Sequence, residues 1–282
     1  MVTPMREDGE LDLESAARLA RHLLANGNDG LVLSGTTGEA PTTHAPEKVD
    51  LIAAVRDAVG AAVPILAGVG SNDTAHAVRM AEQGAEAGAD GILALVPYYS
   101  RPSQRGIVAH LKAIHDASAL PVMLYDIPIR TGIALTDESY DELAGLDRVI
   151  ATKDATGDVV SAKDRIARTG LAWYSGDDPL TLDFLRQGAS GVVSVSSHVV
   201  GKQIAAMIAA FDGGDTALAE RINDELTPVY DAIFDGPGAM NAKSAAHMLG
   251  AIESRAMRLP LLPATDEEYQ KLKSALTAAG AL

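Results

Sequence analysis

One lysine of this sequence stands where an amine could act as a nucleophile. Lys153 follows the short, mostly apolar run 149–152 and precedes Asp154. If that run is a buried strand, the amine lies in a partly desolvated place, which favours its neutral form and allows attack on a ketone to give a Schiff base. The alternative is an ordinary strand-end lysine that extends to water. Position alone leaves both interpretations open.

Other polar segments follow other apolar runs. Gly35-Thr36-Thr37-Gly38 offers backbone N–H groups and two hydroxyls to a carboxylate, or is only a strand-to-helix turn. Arg130 could bind a second carboxylate through both arms of its guanidinium, although a solvated arginine also fits. Tyr99 and Tyr125 could transfer protons, or carry structural hydroxyls.

Short continuous apolar runs predict the strands that precede these segments, as expected for parallel strands covered on both faces. Three of the runs follow a Gly-x-x-Gly junction, which suits a helix end and a tight turn into a strand. Two others follow Pro64 and Pro121. The eight candidate strands lie at 2–3, 31–33, 65–67, 92–95, 122–124, 149–151, 173–174 and 192–195.

Helical patterns separate the strands. Asp12 is a good N-cap for an apolar face that begins at Leu13, and helical runs near 202–212, 216–234, 239–250 and 267–279 follow the last strand.

Eight strands that alternate with helices predict an α/β protein with a closed (β/α)8 TIM barrel. An open doubly wound sheet is the alternative, although Gly68-Val69-Gly70 lacks the third glycine of a dinucleotide-binding turn. We expect one structural unit, with residues 1–200 as the barrel core and 201–282 as a C-terminal helical extension. The sequence begins almost inside the first predicted strand, so that strand's completeness is left open. Because a barrel carries its active site at the C-terminal ends of its strands, the polar segments should meet there.

The composition of the chain excludes several kinds of chemistry and of partner. The chain of 282 residues has no cysteine, which excludes thiol nucleophiles, thiolate metal sites and disulfides and suggests a cytoplasmic protein. A formal net charge of -15 argues against nucleic acids and anionic membranes as partners. Asp177-Asp178 could hold a cation or be a plain acidic turn. The histidines lack metal-ligand spacing, so we predict no metal.

Four segments, in this order along the chain, resemble the dihydrodipicolinate synthase / N-acetylneuraminate lyase family of pyruvate-dependent class I lyases. The resemblance runs from about Val2 to the end, and the ordered series is far more specific than any one of its motifs. The segments are Gly-Thr-Thr-Gly-Glu at 35–39, Tyr-Tyr-x-Arg-Pro at 98–102, Tyr-x-Ile-Pro-x-Arg-Thr-Gly at 125–132 and Lys-Asp-Ala-Thr-Gly-Asp at 153–158.

This resemblance implies a role for each matching residue. Lys153 forms an imine with pyruvate, and no other cofactor is needed. Thr36 and Thr37 bind the pyruvate carboxylate, and Thr37 also joins a proton relay. Tyr125 is the general acid–base residue. The protonated imine is an electron sink that acidifies the pyruvate methyl group, so the resulting enamine can attack an aldehyde.

The resemblance also implies an assembly. Tyr99 completes the proton relay by reaching into a neighbouring subunit, so we expect a homotetramer built as a dimer of dimers. Gly176 and Val193 match positions that line the substrate pocket.

Arg130 distinguishes members of this family. The synthase-like branch carries an arginine here for the carboxylate of aspartate-semialdehyde, whereas the sialic-acid lyase branch lacks it. We therefore expect condensation of pyruvate with L-aspartate-4-semialdehyde, on the route to diaminopimelate and lysine. The alternatives are an aldolase for a 2-keto-3-deoxy sugar acid or N-acetylneuraminate, and a non-catalytic paralogue that binds keto acids.

Two departures from the family pattern stand out. Asp126 replaces an asparagine of many relatives. Lys48 and His76 stand where lysine-sensitive relatives tend to have histidine and glutamate, although Asn72 and Tyr98 are retained. A cation in place of an anion disfavours binding of cationic lysine. We therefore expect weak inhibition by lysine, or none.

Overall fold

Seven β-strands and twelve α-helices form along residues 1–282, all of which the computed structural model describes. The strands are β1 (Leu31–Leu33), β2 (Ile65–Gly68), β3 (Gly91–Leu95), β4 (Val122–Asp126), β5 (Val149–Asp154), β6 (Ala172–Ser175) and β7 (Gly191–Val192). The helices are α1 (Leu13–Ala25), α2 (Ala45–Val59), α3 (Thr74–Glu86), α4 (Gln104–Ala117), α5 (Pro128–Thr131), α6 (Asp137–Ala144), α7 (Val159–Thr169), α8 (Thr181–Arg186), α9 (Ser197–Asp212), α10 (Thr216–Phe234), α11 (Gly238–Met248) and α12 (Asp266–Ala278). None of these helices is both long enough and apolar enough to cross a membrane.

The chain divides into two units, one comprising residues 1–64 and 195–282, the other residues 65–194. In the second unit, strands β2 to β7 form a parallel sheet in which each strand pairs with the next along the chain. A doubly wound sheet would reverse its strand order partway. The sequential order therefore contradicts the doubly wound alternative for this unit.

Strand β4 of this sheet is covered on both faces. All five residues of β4 are buried, although side chains alternate between the two faces of a strand. The apolar stripe of α4, at Ile107, Leu111 and Ile114, is at most 1% exposed. Because both faces of β4 are buried, its first three residues are all apolar rather than alternating with polar ones, which explains the continuous apolar run of the sequence there.

The first unit contains β1 and the helices α1, α2 and α9 to α12. Asp12 caps α1 as predicted, since its carboxylate accepts a hydrogen bond from the Ser15 N–H at 2.9 Å. The four helical runs predicted after the last strand are confirmed as helices, with α9 starting five residues earlier, at Ser197.

The prediction of a strand at Val2-Thr3 is wrong. The Val2 N–H donates to the Nε2 atom of His198 at 3.0 Å, and the Thr3 hydroxyl donates to the Gly38 carbonyl at 2.6 Å. Pro4 has no N–H to donate to a ladder. The segment is buried like a strand but is held by side-chain contacts, and the chain has seven strands rather than eight.

The last strand is also shorter than predicted. It ends at Val192, whereas the apolar pattern continues to Val195. The Val195 carbonyl accepts a hydrogen bond from the His198 ring at 2.7 Å, so the backbone already turns toward α9 there.

The repeated Gly-x-x-Gly junctions share one backbone conformation. Gly27, Gly88 and Gly188, the first glycine of each, have φ values of +86°, +96° and +100°. Residues with a Cβ rarely adopt this left-handed region, so the turn that ends each helix requires glycine. The sequence repeat is therefore a repeat of turn geometry.

Candidate active site

Lys153 and Tyr125 lie side by side on neighbouring strands. The register of β4 and β5 pairs them directly, and the Lys153 Nζ atom lies 4.3 Å from the centroid of the Tyr125 ring. Lys153 is 9% exposed and Tyr125 is 5% exposed. The Lys153 side chain thus packs its amine against the face of the Tyr125 ring.

Gly176 packs against the same lysine. A Cβ atom at this position would lie 3.1 Å from the Lys153 Cε atom, 3.1 Å from the Asp154 carbonyl and 2.8 Å from the Ala155 Cβ atom. The Gly176 N–H also donates to the Asp154 carbonyl at 2.6 Å, which holds the chain after β6 against the end of β5. Glycine thus leaves the space that the lysine side chain occupies.

Tyr174 stands on the other side of Lys153. The register of β5 and β6 pairs the two residues, as β4 pairs Lys153 with Tyr125. Residues in register on adjacent strands point to the same face of a sheet. The apolar pattern predicts a strand at Tyr174 but does not connect it to Lys153, because strand register is not visible in a single sequence.

Two buried carboxyl groups lie on the opposite face. Asp126 and Asp154 follow Tyr125 and Lys153 directly, are paired in register and are fully buried. The Asp126 Oδ2 atom accepts hydrogen bonds from the Leu135 N–H at 2.9 Å and the Tyr140 hydroxyl at 3.1 Å, whereas its Oδ1 atom has no partner. Burial, aided by the neighbouring Asp154 charge, raises the pKa of Asp126 to about 6.

Asp154 has more hydrogen bonds. The Trp173 indole N–H donates to its Oδ2 atom at 3.0 Å, and the Thr156 N–H and hydroxyl donate to its Oδ1 atom at 2.9 and 2.7 Å. Burial still raises the pKa of Asp154, although these bonds act against the shift. The pair supports the two strand ends from behind the face that carries Lys153.

Tyr99 and Arg130 project outward. Tyr99 is 88% exposed and has a left-handed backbone with φ of +70°, which is uncommon for a residue other than glycine. Arg130 is exposed on the short helix α5, which starts at Pro128 and ends before Gly132. No carboxylate of the chain lies within ion-pair distance of its guanidinium, so it is available to an anionic ligand.

The turn that contains Thr36 and Thr37 belongs to the other unit. Two residues other than glycine flank it with left-handed backbones, Ser34 with φ of +55° and Glu39 with φ of +57°. The Gly38 N–H donates to the Gly35 carbonyl at 3.0 Å. The Thr36 and Thr37 hydroxyls are half-buried and have no hydrogen-bond partner within the chain. A tight turn thus holds two available hydroxyls.

Comparison with known proteins decides the family. The profile of the dihydrodipicolinate synthetase family matches residues 1–279, which is nearly the whole chain. The chain belongs to this family. It is 49% identical to the 4-hydroxy-tetrahydrodipicolinate synthase of Bifidobacterium longum over 283 aligned positions, which cover all of this chain and 93% of that protein.

Two solved structures of the dihydrodipicolinate synthetase family are also similar. The enzyme of Cyanidioschyzon merolae with lysine bound is 41% identical, with a TM-score of 0.95 over 100% of this chain and 97% of that one. The enzyme of Acinetobacter baumannii complexed with pyruvate is 33% identical, with the same TM-score over 100% and 97% of the two chains. The family resemblance of the four sequence motifs is thus confirmed.

Of the site residues expected for a member of this family, the second unit brings Lys153, Tyr125 and Gly176 together. Val193 follows β7, and its N–H donates to the Ser175 carbonyl at 2.8 Å. Tyr99 and Arg130 lie apart from these contacts, at the surface. The sequence motifs assign no role to Tyr140 or Asp154, which only the tertiary structure connects to the strand ends.

Proposed function

We propose that this protein condenses pyruvate with L-aspartate-4-semialdehyde to 4-hydroxy-tetrahydrodipicolinate in lysine and diaminopimelate biosynthesis. The observation that carries the proposal is the buried Lys153 amine, 4.3 Å from the Tyr125 ring and in contact with Gly176. The names of the full-length relatives support the same activity.

The proposed chemistry follows from an amine beside a phenol. The Lys153 nitrogen attacks the pyruvate ketone carbon, and loss of water gives a protonated imine. The imine draws electrons from the methyl group, which loses a proton and becomes the nucleophilic carbon of an enamine. That carbon attacks the aldehyde carbon and forms the new C–C bond, and the aldehyde oxygen takes up a proton to become the hydroxyl. The amino group of the semialdehyde then attacks the imine carbon, which closes the ring and releases the Lys153 amine. The Tyr125 hydroxyl transfers the protons, and because the imine is the electron sink, the scheme uses no metal or organic cofactor.

The remaining roles follow the family resemblance. Thr36 and Thr37 bind the pyruvate carboxylate, and Thr37 and Tyr99 extend the proton relay. Arg130 binds the carboxylate of the semialdehyde through two hydrogen bonds, a geometry that guanidinium favours.

Gly176 and Val193 line the pocket for the condensing substrates. The close approach of Gly176 to the Lys153 Cε atom supports the proposal that Gly176 lines this pocket.

The proposal includes the wider architecture. The parallel, sequential order of strands β2 to β7 supports a TIM-barrel type of fold. A homotetramer in which Tyr99 enters the neighbouring site accounts for a tyrosine that is 88% exposed in one chain. A cytoplasmic location accords with a biosynthetic role.

Covalent trapping tests the mechanism. Reduction with borohydride in the presence of pyruvate should add one pyruvate-derived group to Lys153, located by peptide mass spectrometry. Lys153→Ala should abolish the adduct, and Lys112→Ala, which removes an exposed lysine, should not. An adduct on Lys202 or Lys243 instead would overturn the mechanism.

Substrate choice is tested separately. Turnover is compared for aspartate-semialdehyde, N-acetylneuraminate and 2-keto-3-deoxygluconate, and we expect the first to exceed the others by orders of magnitude. Preference for either sugar acid would assign the chain to another aldolase activity. Imine formation without turnover of any aldehyde would favour a keto-acid-binding paralogue.

We also propose that lysine inhibits this enzyme weakly or not at all. Lys48 is buried, and its ammonium donates to the Ala40 carbonyl at 2.9 Å. Burial lowers the pKa of Lys48 to about 8, which still leaves most of the group cationic at neutral pH. Half-inhibition at low lysine concentration in a steady-state assay would contradict this proposal.

A further inference from the structure

A buried ion pair lies directly behind the threonine turn. Lys243 of α11 is 0% exposed, and Glu39 is 1% exposed. The Lys243 ammonium donates to the Glu39 Oε1 atom and, at 2.8 Å, to the Ala256 carbonyl. Burial lowers the pKa of Lys243, and the Glu39 carboxylate acts against that shift. Neither residue has a part in the proposed chemistry.

Every polar group of Glu39 is engaged. Its Oε2 atom accepts from the Arg258 backbone N–H at 3.1 Å. Its own N–H donates to the Thr36 carbonyl at 3.1 Å. Its carbonyl accepts from the Thr42 and Thr43 hydroxyls at 3.2 and 3.3 Å. The carboxylate is thus tied to the chain around α11, while the backbone of the same residue closes the Thr36–Thr37 turn.

The backbone of Glu39 also needs this support. A residue other than glycine with φ of +57° is in a conformation that persists only when its surroundings determine it. The side chain of Glu39 points its charge at a partner that is itself held by the Ala256 carbonyl. The ion pair therefore fixes a backbone conformation that the turn would not adopt alone.

A buried ion pair of this kind is not explained by stability. Removing both charges of such a pair is often neutral or stabilising, because desolvation of the two groups offsets their attraction. The ion pair does restrict the neighbouring backbone to one conformation. Here that backbone includes the Thr36–Thr37 turn, whose Thr36 carbonyl accepts from the Glu39 N–H.

We propose that Glu39 and Lys243 are positioning residues that hold the Thr36–Thr37 turn in the geometry that binds the keto-acid carboxylate. This inference rests on the proposed function, since it takes the carboxylate of pyruvate as the ligand of the turn. The two residues do not touch the substrate. They act through the Thr36 carbonyl and the backbone of Glu39.

The test removes both charges together. Single variants leave one buried charge unpaired and are expected to destabilise the chain strongly. The double variant Glu39→Gln, Lys243→Met keeps side-chain volume and leaves an amide oxygen for the Arg258 N–H. We expect the pyruvate KM to rise at least about tenfold, because small misplacements of binding groups are costly. The semialdehyde KM should stay within about twofold.

Controls separate positioning from folding. Asp235→Asn, Lys271→Met removes an exposed ion pair of the same unit and should leave both KM values unchanged. If the double variant does not fold, Thr43→Val removes one hydroxyl contact to the Glu39 carbonyl without touching a charge, and a pyruvate KM at least twice that of the wild type is then expected. A purely structural role would lower the yield of active enzyme and leave KM alone.

Borohydride trapping distinguishes failure of the positioning role from failure of the proposed function. The wild type should form the Lys153 adduct at low pyruvate, and the double variant only at high pyruvate. An unchanged pyruvate dependence in a folded double variant overturns the positioning role alone. If the wild type forms no Lys153 adduct, the proposed function fails and this inference fails with it.

Discussion

The Lys153 Cε atom lies 3.1 Å from where a Cβ atom of residue 176 would be placed. A contact of 3.1 Å is tighter than nine in ten of those that Cβ atoms make, so an alanine at this position requires its neighbours to move. The absence of a side chain at Gly176 is therefore part of what sets the position of the nucleophile.

Gly176→Ala should lower the rate of imine formation by about tenfold or more, because a small misplacement of a reacting group is costly. The rate of borohydride-trapped adduct formation measures it. Since the nearest atom to the added methyl group is the Ala155 Cβ atom, at 2.8 Å, the double variant with Ala155→Gly should recover part of the rate. A Gly176→Ala enzyme with the wild-type rate would contradict the packing argument.

Tyr125→Phe should separate imine formation at Lys153 from proton transfer by the Tyr125 hydroxyl. The ring that lies 4.3 Å from the Lys153 Nζ atom remains, so pyruvate should still give the Lys153 adduct. Loss of the hydroxyl should lower kcat by roughly 10²-fold or more, the usual contribution of general acid–base catalysis. Tyr174→Phe is the matched control on the other side of Lys153, and an equal loss in that variant would count against a special role for Tyr125.

Arg130→Met should impair use of the second substrate alone. Removal of a guanidinium that binds a carboxylate is expected to raise the semialdehyde KM by about 10²-fold, while the pyruvate KM changes little. Arg130→Lys should restore little, because an ammonium cannot form the two parallel hydrogen bonds. Arg105→Met, at another exposed arginine, is the control. A rise in both KM values for Arg130→Met would refute the assignment to the second substrate.

Asp126→Asn should stabilise the protein in a pH-dependent way. The pKa of Asp126 is raised to about 6 by burial, above its ordinary value of 3.8. Between these two values the folded state holds a proton that the unfolded state has lost, so stability falls as pH rises through that window. Above pH 6, ionisation of the buried carboxyl lowers the free energy of unfolding by on the order of 2–3 kcal/mol. The amide of the variant does not ionise, so the variant does not lose this stability.

Urea unfolding at pH 4, 6 and 8 measures this effect. The free energy of unfolding of the variant should exceed that of the wild type by about 1–3 kcal/mol at pH 8, and this difference should shrink toward pH 4. Asp57→Asn, at an exposed position, is the control. A constant difference across the three pH values would show that titration of Asp126 is not the cause.

The apolar pattern of the sequence predicted most of the secondary structure, because burial on both faces of a parallel sheet dictates continuous apolar strands. It failed at Val2-Thr3. Those residues are buried like a strand, but their polar groups bond to His198 and Gly38, and burial alone does not distinguish a ladder from side-chain contacts.

Some features of the site were likewise predicted from the sequence, and others only the structure showed. The ordered motifs in the sequence identified the family and singled out Lys153 and Tyr125. Strand register then placed Tyr174 beside that lysine and paired Asp126 with Asp154, and register depends on contacts between strands distant in sequence.

The sequence by itself determined which residue types follow most strands, because the local apolar pattern indicates where a strand stops and which residues come next, although β7 stops before its pattern does. Only the tertiary structure decided that Glu39 meets Lys243, 204 positions further along the chain. Neither residue has a local signature of that pairing, since an ion pair between distant segments depends on how the intervening chain folds. The same holds for the contact of Gly176 with Lys153, in which the absence of a side chain carries the information.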